Sequence, residues 1–209
     1  MKIAYIFFNG KLLGDTNYYR KFYTENKGDI FCADGGGNLC YELNLIPLEI
    51  WGDLDSINKD ILEYYTEKSV IIKKFNKDKD FTDSELIINY LKDKNYNKIY
   101  CVGAFGGDID HELTNINLIY KYENLYFIKE NEMLFKIEKD LEFKNSKNTK
   151  ISFIPFSKEI INLKLQGFKY NVENVNLKKG DSLCMSNVII SDLAKISFDS
   201  GTILCVIKS

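Results

Sequence analysis

The chain has 209 residues, 45% of them hydrophobic and 14% aromatic, and its 28 basic and 30 acidic side chains leave a formal net charge of −2. That balance argues against a nucleic-acid binder relying on bulk positive charge, and the aromatic content argues against a disordered chain. No apolar run reaches the roughly 18 residues of a membrane helix, so neither nucleic acid nor membrane is an expected partner.

In chain order, the first apolar run (residues 3–8) is short for a signal-peptide core and no small-residue cleavage site follows it. It reads as a buried strand. Tyr18/Phe22 and Tyr19/Tyr23 then repeat at i,i+4, a helical spacing. Further strand-length runs rich in β-branched or aromatic residues cover 30–33, 48–51, 70–72 and 99–102. Helical faces lie between and after them: Ile61, Leu62 and Tyr65; Leu86, Ile87, Tyr90 and Leu91; Leu113, Ile116 and Tyr120. Thr82 with Glu85 three residues on has the form of a capping box. Such alternation predicts an α/β domain with a mostly parallel sheet covered on both faces.

After about Asn124 the helical period fades. Short β-like runs follow at 126–129, 133–136, 151–154, 163–165, 183–185, 195–198 and 203–207, which predicts an all-β, sandwich-like C-terminal domain. The boundary falls within 124–145 and is set between 130 and 131, giving domains 1–130 and 131–209. The five cysteines are odd in number, widely spaced and without a Cys-x-x-Cys pair. Buried thiols in a reducing, cytoplasmic setting are expected.

In an open parallel sheet, ligands bind beyond the carboxyl ends of the strands. The loops there are Asp34-Gly35-Gly36-Gly37-Asn38, Gly52-Asp53-Leu54-Asp55-Ser56, Lys77-Asp78-Lys79-Asp80-Phe81-Thr82-Asp83 and Gly103-Ala104-Phe105-Gly106-Gly107-Asp108-Ile109-Asp110-His111. Each alone also fits a glycine turn, a helix cap or a solvated charged loop. Together they gather carboxylates on one edge. Two carboxylates 4 Å apart repel by about 4 kcal/mol at an effective dielectric near 20. Asp53, Asp55, Asp80, Asp83 and Asp110 therefore call for a cation, and hard oxygen donors favour Mg²⁺. Glycine loops beside helix N-termini suit a nucleotide polyphosphate, whereas no P-loop or Gly-x-Gly-x-x-Gly follows the first strand.

At these four loops the sequence resembles the thiamine pyrophosphokinase family. The resemblance extends to Asn115, to Gly167-Phe168-Lys169-Tyr170, Gly180 and Ser186-Asn187, and so spans most of the chain in order. It implies an ATP- and Mg²⁺-binding catalytic domain over 1–130 and a thiamine-binding β-sandwich over 131–209. It also implies a homodimer with the thiamine site between subunits, and transfer of diphosphate from ATP to the thiamine hydroxyl with release of AMP. Asp53, Asp55 and Asp83 are expected to hold the metal, directly or through water. Asp34, Gly35, Gly36, Asn38, Lys79, Thr82, Gly106, Gly107, His111, Ser186 and Asn187 are expected to contact substrates. Asp80 or Asp110 would orient or deprotonate the attacking hydroxyl. Where the family usually carries arginine this chain has Asp108, and where alanine is more usual it has Gly37; Lys73, Lys74, Lys77 and Lys79 are candidates for the missing positive charge. His111, the single histidine, reads either as a general base or as a helix-start residue positioning Asp110. The competing functions are another Mg²⁺-dependent phosphotransferase or nucleotide hydrolase, and a binding protein without catalysis.

Overall fold

A computed structural model describes residues 1–76 and 80–208. The chain divides into two compact units, Met1–Glu130 and Asn131–Ser209. The first contains β1 (Ile3–Phe7), α1 (Thr16–Glu25), β2 (Asp29–Ala33), α2 (Gly36–Glu42), β3 (Glu49–Gly52) and α3 (Lys59–Glu67). It continues with β4 (Ile71–Lys74), α4 (Asp83–Lys92), β5 (Lys98–Val102), α5 (Ile109–Lys121) and β6 (Leu125–Lys129). Its strands are all parallel, in the order β6-β5-β1-β2-β3-β4.

That order has a functional consequence. From β1 the chain winds outward through β2, β3 and β4, then returns to lay β5 on the other side of β1. The reversal makes the space beyond the carboxyl ends of β1 and β5 a topological switch point, where loops splay apart and leave a crevice. All five residues of β1 are buried, as continuous apolar composition in a sheet covered on both faces requires. Tyr5, Phe7, Phe8, Ile50, Tyr65, Ile87 and Phe127 are among the largest fully buried or nearly buried side chains. Each contributes about 1.5–3 kcal/mol if its apolar surface is wholly removed from water.

The second unit has β7 (Glu132–Ile137), β8 (Leu141–Lys144), β9 (Lys150–Pro155), β10 (Glu159–Gln166), β11 (Val172–Lys178), β12 (Asn187–Val188), β13 (Leu193–Ser197) and β14 (Ile203–Lys208). They form two antiparallel arrangements, β12-β9-β14-β7 and β11-β10-β13-β8. Inner-face residues from both, among them Ile151, Phe153 and Cys205 on one and Leu163, Leu165 and Ile196 on the other, make one core. Phe153 and Phe168 meet edge to face at 5.5 Å between centroids. The α/β fold followed by a β-rich unit is the expected class.

Several local readings differ. The run 126–129 belongs to β6, parallel to β5, rather than to the β-rich unit. Residues 183–185 form a turn, with Met185 N donating to Ser182 O at 3.1 Å, although their composition is strand-like. Helix α2 lacks an apolar signal at its start because Gly35-Gly36-Gly37 occupies it. A Cβ at Gly36 would lie 2.0 Å from the Phe7 carbonyl oxygen, so close packing of α2 on β1 overrides the poor helix propensity of glycine. At α4, Thr82 Oγ1 accepts from Glu85 N at 3.3 Å. The Glu85 carboxylate is taken up elsewhere, by Lys121 Nζ at 2.6 Å and the Tyr122 hydroxyl at 2.8 Å.

Candidate active site

The site is built by the strand-end loops of the first unit. β2 ends on Ala33, and Asp34 turns the chain with φ +44°. Its amide donates to Trp51 O at 2.8 Å, and its carboxylate accepts from Ser56 N at 3.2 and 3.4 Å. Asp34 is only 5% exposed. Burial raises its pKa above the ordinary carboxylate value; the Ser56 hydrogen bonds oppose that shift and the neighbouring Asp53 charge adds to it. β3 delivers the second carboxylate. Gly52 permits close approach, since a Cβ there would lie 2.8 Å from Asp34 Cβ. The next residues are Asp53 and Leu54, the latter with φ +66°. The first turn of α4 delivers the third. Carboxylate oxygens of Asp34, Asp53 and Asp83 all lie within 4.8 Å of one another.

This trio differs from the expected Asp53, Asp55 and Asp83. Asp55 is exposed and its Oδ1 accepts from the Ser56 hydroxyl at 3.0 Å. Asp34 and Asp53 follow directly on adjacent parallel strands, whereas Asp55 lies two residues further on, past Leu54 with its left-handed φ. Three carboxylates so close, one of them buried, match the oxygen-rich sites that Mg²⁺ favours.

A crevice of about 310 Å³ opens beside them at the switch point. Phe8, Asn9 and Gly10 form one wall, Gly103, Ala104, Gly107 and Asp108 another, and Asp34, Thr82 and Asp83 contribute as well. The walls are laced together by backbone bonds: Phe8 N to Val102 O at 2.8 Å, Gly10 N to Gly103 O at 2.9 Å and Lys11 N to Phe105 O at 2.8 Å. Glu112 Oε1 accepts from Gly106 N at 2.6 Å, and Asn115 Nδ2 donates to Ala104 O at 2.8 Å. Together these fix the glycine loop at the start of α5.

The remaining expected residues fall into distinct places. Thr82, Gly107 and His111 line the crevice. Gly106 supports it with φ +84°. Gly35 and Gly36 are buried, and a Cβ at Gly35 would lie 1.9 Å from Asn9 Oδ1. Their lack of side chains therefore serves packing of α2. Asn38 is a latch: its carboxamide donates to Ser56 O at 3.0 Å and accepts from Asn58 N at 2.9 Å. Asp80 is exposed and outside the trio, and Lys79 lies outside the described residues. Asp110 Oδ1 accepts from the His111 backbone N–H at 2.8 Å. Lys73 is engaged, with Nζ 2.8 Å from Glu49 Oε2 and lying over the rings of Trp51 and Tyr90. Asp108, where a family arginine was expected, faces the crevice.

In the second unit, Ser186 is exposed with φ +54°, and its N–H donates to Ser152 Oγ at 2.9 Å. Asn187 is 1% exposed. Its carboxamide accepts from Tyr170 N and Val188 N and donates to Tyr170 O at 2.7 Å. Asn187 thus holds the turn after Gly167. The wall from Phe8 to Gly10 was missed by motif reading; its signal was the Asn-Gly pair directly after the first strand.

The family model described as "Thiamin pyrophosphokinase, catalytic domain" matches residues 21–129, and that described as "Thiamin pyrophosphokinase, vitamin B1 binding domain" matches 134–203. Thiamine pyrophosphokinase of Bacillus subtilis is 33% identical over 205 residues, covering 95% of this chain and 91% of that protein. Thiamine pyrophosphokinase 2 of Arabidopsis thaliana is 26% identical, covering 81% and 74%. A solved structure of the Bacillus subtilis thiamine pyrophosphokinase superposes with a TM-score of 0.87 over 100% of this chain and 99% of that chain, at 28% identity. The chain belongs to the thiamine pyrophosphokinase family.

Proposed function

We propose that the protein is a thiamine pyrophosphokinase that transfers diphosphate from Mg²⁺-ATP to the hydroxyethyl group of thiamine, giving thiamine diphosphate and AMP. The observation that carries the chemistry is the Asp34–Asp53–Asp83 group at the mouth of a switch-point crevice. Asp34, Asp53 and Asp83 would hold Mg²⁺, with Asp55 reaching it through water. When bound, Mg²⁺ would supply charge neutralisation for the phosphate oxygens; the thiamine hydroxyl attacks the β-phosphorus, the bond from that phosphorus to the α-phosphate oxygen breaks, and the diphosphoryl group passes to thiamine as AMP leaves. The chain's residues do the positioning. The Gly106–Gly107 loop, fixed by Glu112 and Asn115, offers backbone close to the phosphates without side-chain obstruction; around Gly107 there is open space where a Cβ would be. Asp80 or Asp110 takes or orients the hydroxyl proton. In this scheme 1–130 is the nucleotide and metal domain and 131–209 the thiamine domain.

The thiamine side rests on Ser186. Asn187 is committed to the Tyr170 backbone, so it positions the segment and Ser186 meets the ligand. The surface around this turn is apolar: Tyr170, Leu183, Met185 and Ile190 are all exposed. Exposed apolar residues concentrated around one turn support a protein partner, and we propose a homodimer joined here. The five cysteines are free and buried, in keeping with a cytoplasmic setting, and no helix among the described residues is long and apolar enough to cross a membrane. Chromatographic separation of products from Mg²⁺-ATP with and without thiamine tests the activity. Thiamine-dependent AMP supports it, and ADP formed without thiamine overturns it.

A further inference from the structure

We propose that Lys11 is the side chain that receives the ATP phosphates on the β1 side of the crevice, an assignment that rests on the nucleotide reading above. The electrostatic need is plain. Asp34, Asp83, Asp108 and Glu112 all line the crevice, and a divalent ion offsets only part of their charge before a polyanionic triphosphate arrives. Some of the cations that the sequence offers are committed. The chain's one arginine, Arg20, is held through Nη1 by Thr16 Oγ1 and Asn17 Oδ1 and through Nη2 by Glu42 O. Lys73 is bound to Glu49, and Lys121 to Glu85.

Lys11 is exposed, and no ion pair engages it among the described residues. Its backbone is fixed by the bond from Lys11 N to Phe105 O. Its stem lies along Gly106: a Cβ at Gly106 would come 2.8 Å from Lys11 Cβ and 3.3 Å from Lys11 Cδ. The residues beside each partner, Gly10 and Gly107, line the crevice. A long cationic side chain is thus seated on Gly106, next to the crevice-lining Gly107, and Gly106 is glycine in part to seat it. An ammonium acts on phosphate as a point charge and needs no bidentate geometry. Lys11 would therefore supply positive charge on a rim whose other wall carries Asp108.

The test uses the full chain with Lys11→Met, which keeps the stem and removes the charge, and Lys11→Arg, which keeps the charge. The KM for Mg²⁺-ATP is expected to rise about tenfold in Lys11→Met, with the KM for thiamine unchanged, and to stay within about threefold of wild type in Lys11→Arg. An unchanged KM for Mg²⁺-ATP in Lys11→Met, or an equal rise for both substrates, overturns the assignment. Calorimetric titration with Mg²⁺-ATP alone separates it from the functional reading. Wild-type binding that weakens about tenfold in Lys11→Met upholds Lys11 even if no thiamine is turned over. Wild type that does not bind Mg²⁺-ATP overturns both.

Discussion

Asp34 carries a conflict that the metal would resolve. Burial and the Asp53 charge raise its pKa above the ordinary 3.8, against the pull of the Ser56 bonds. In the metal-free protein the folded state therefore keeps this proton to higher pH than the unfolded chain does. The contribution to stability is fully present below the ordinary value and is lost as pH rises through the elevated one. Asp34→Asn keeps an acceptor for Ser56 N and removes the charge. It is expected to raise the melting temperature at pH 7 in the presence of a chelator while lowering Mg²⁺-dependent turnover at least about a hundredfold. A melting temperature below wild type would contradict the burial argument. Asp53→Asn, Asp55→Asn and Asp83→Asn are each expected to abolish Mg²⁺-dependent turnover with folding preserved, as read by circular dichroism alongside a metal titration. The carboxylates were legible as a set because their loops follow successive strands. Their partition was not, because which oxygens converge depends on Leu54 adopting a left-handed φ, and nothing in the local sequence requires it.

At the scale of elements, two glycines with similar sequence surroundings have opposite structural weight. Gly36→Ala drives a Cβ into the Phe7 carbonyl at 2.0 Å, so α2 must move off β1. A loss of at least about 2 kcal/mol is expected in urea denaturation. Gly107→Ala meets nothing within 4 Å and is expected to leave stability within about 0.5 kcal/mol, with any effect confined to nucleotide KM. Similar stabilities for the two variants would refute the packing role of the first loop. The Glu85 cluster gives a further check. Glu85→Ala strips the Tyr122 hydroxyl and Lys121 of their shared acceptor and is expected to cost about 1–3 kcal/mol. The strands and four of the five helices of the first unit were readable from apolar runs and i,i+4 spacing. α2 was not, since its start is glycine and its burial is enforced by β1. In the second unit β8, β11 and the two-residue β12 went unread: exposed Glu, Lys and Asn blur the alternation of β8 and β11, and β12 is too short to show one, its buried residue being the polar Asn187. The run at 183–185 has strand composition but lies in a turn bounded by Asp181, Ser182 and the left-handed Ser186.

At the scale of the whole molecule, the apolar residues around Ser186 bear on assembly. The protein is expected to sediment as a dimer, and Leu183→Asp, at a side chain 61% exposed, is expected to shift it toward monomer with a loss of thiamine turnover. A monomeric wild type with full activity would remove the shared site. Membership of the family was visible in the order of short motifs, because those motifs lie where strands end and chemistry is placed, and the α/β-then-β class in the fading of helical spacing after about Asn124. The measurement closest to the centre is product formation from Mg²⁺-ATP and thiamine, followed by chromatography with metal titrated in. AMP and thiamine diphosphate are expected in equal amounts, only with all three components present, and lost in Asp53→Asn. ADP or phosphate released without thiamine, or turnover indifferent to Asp53, would contradict it.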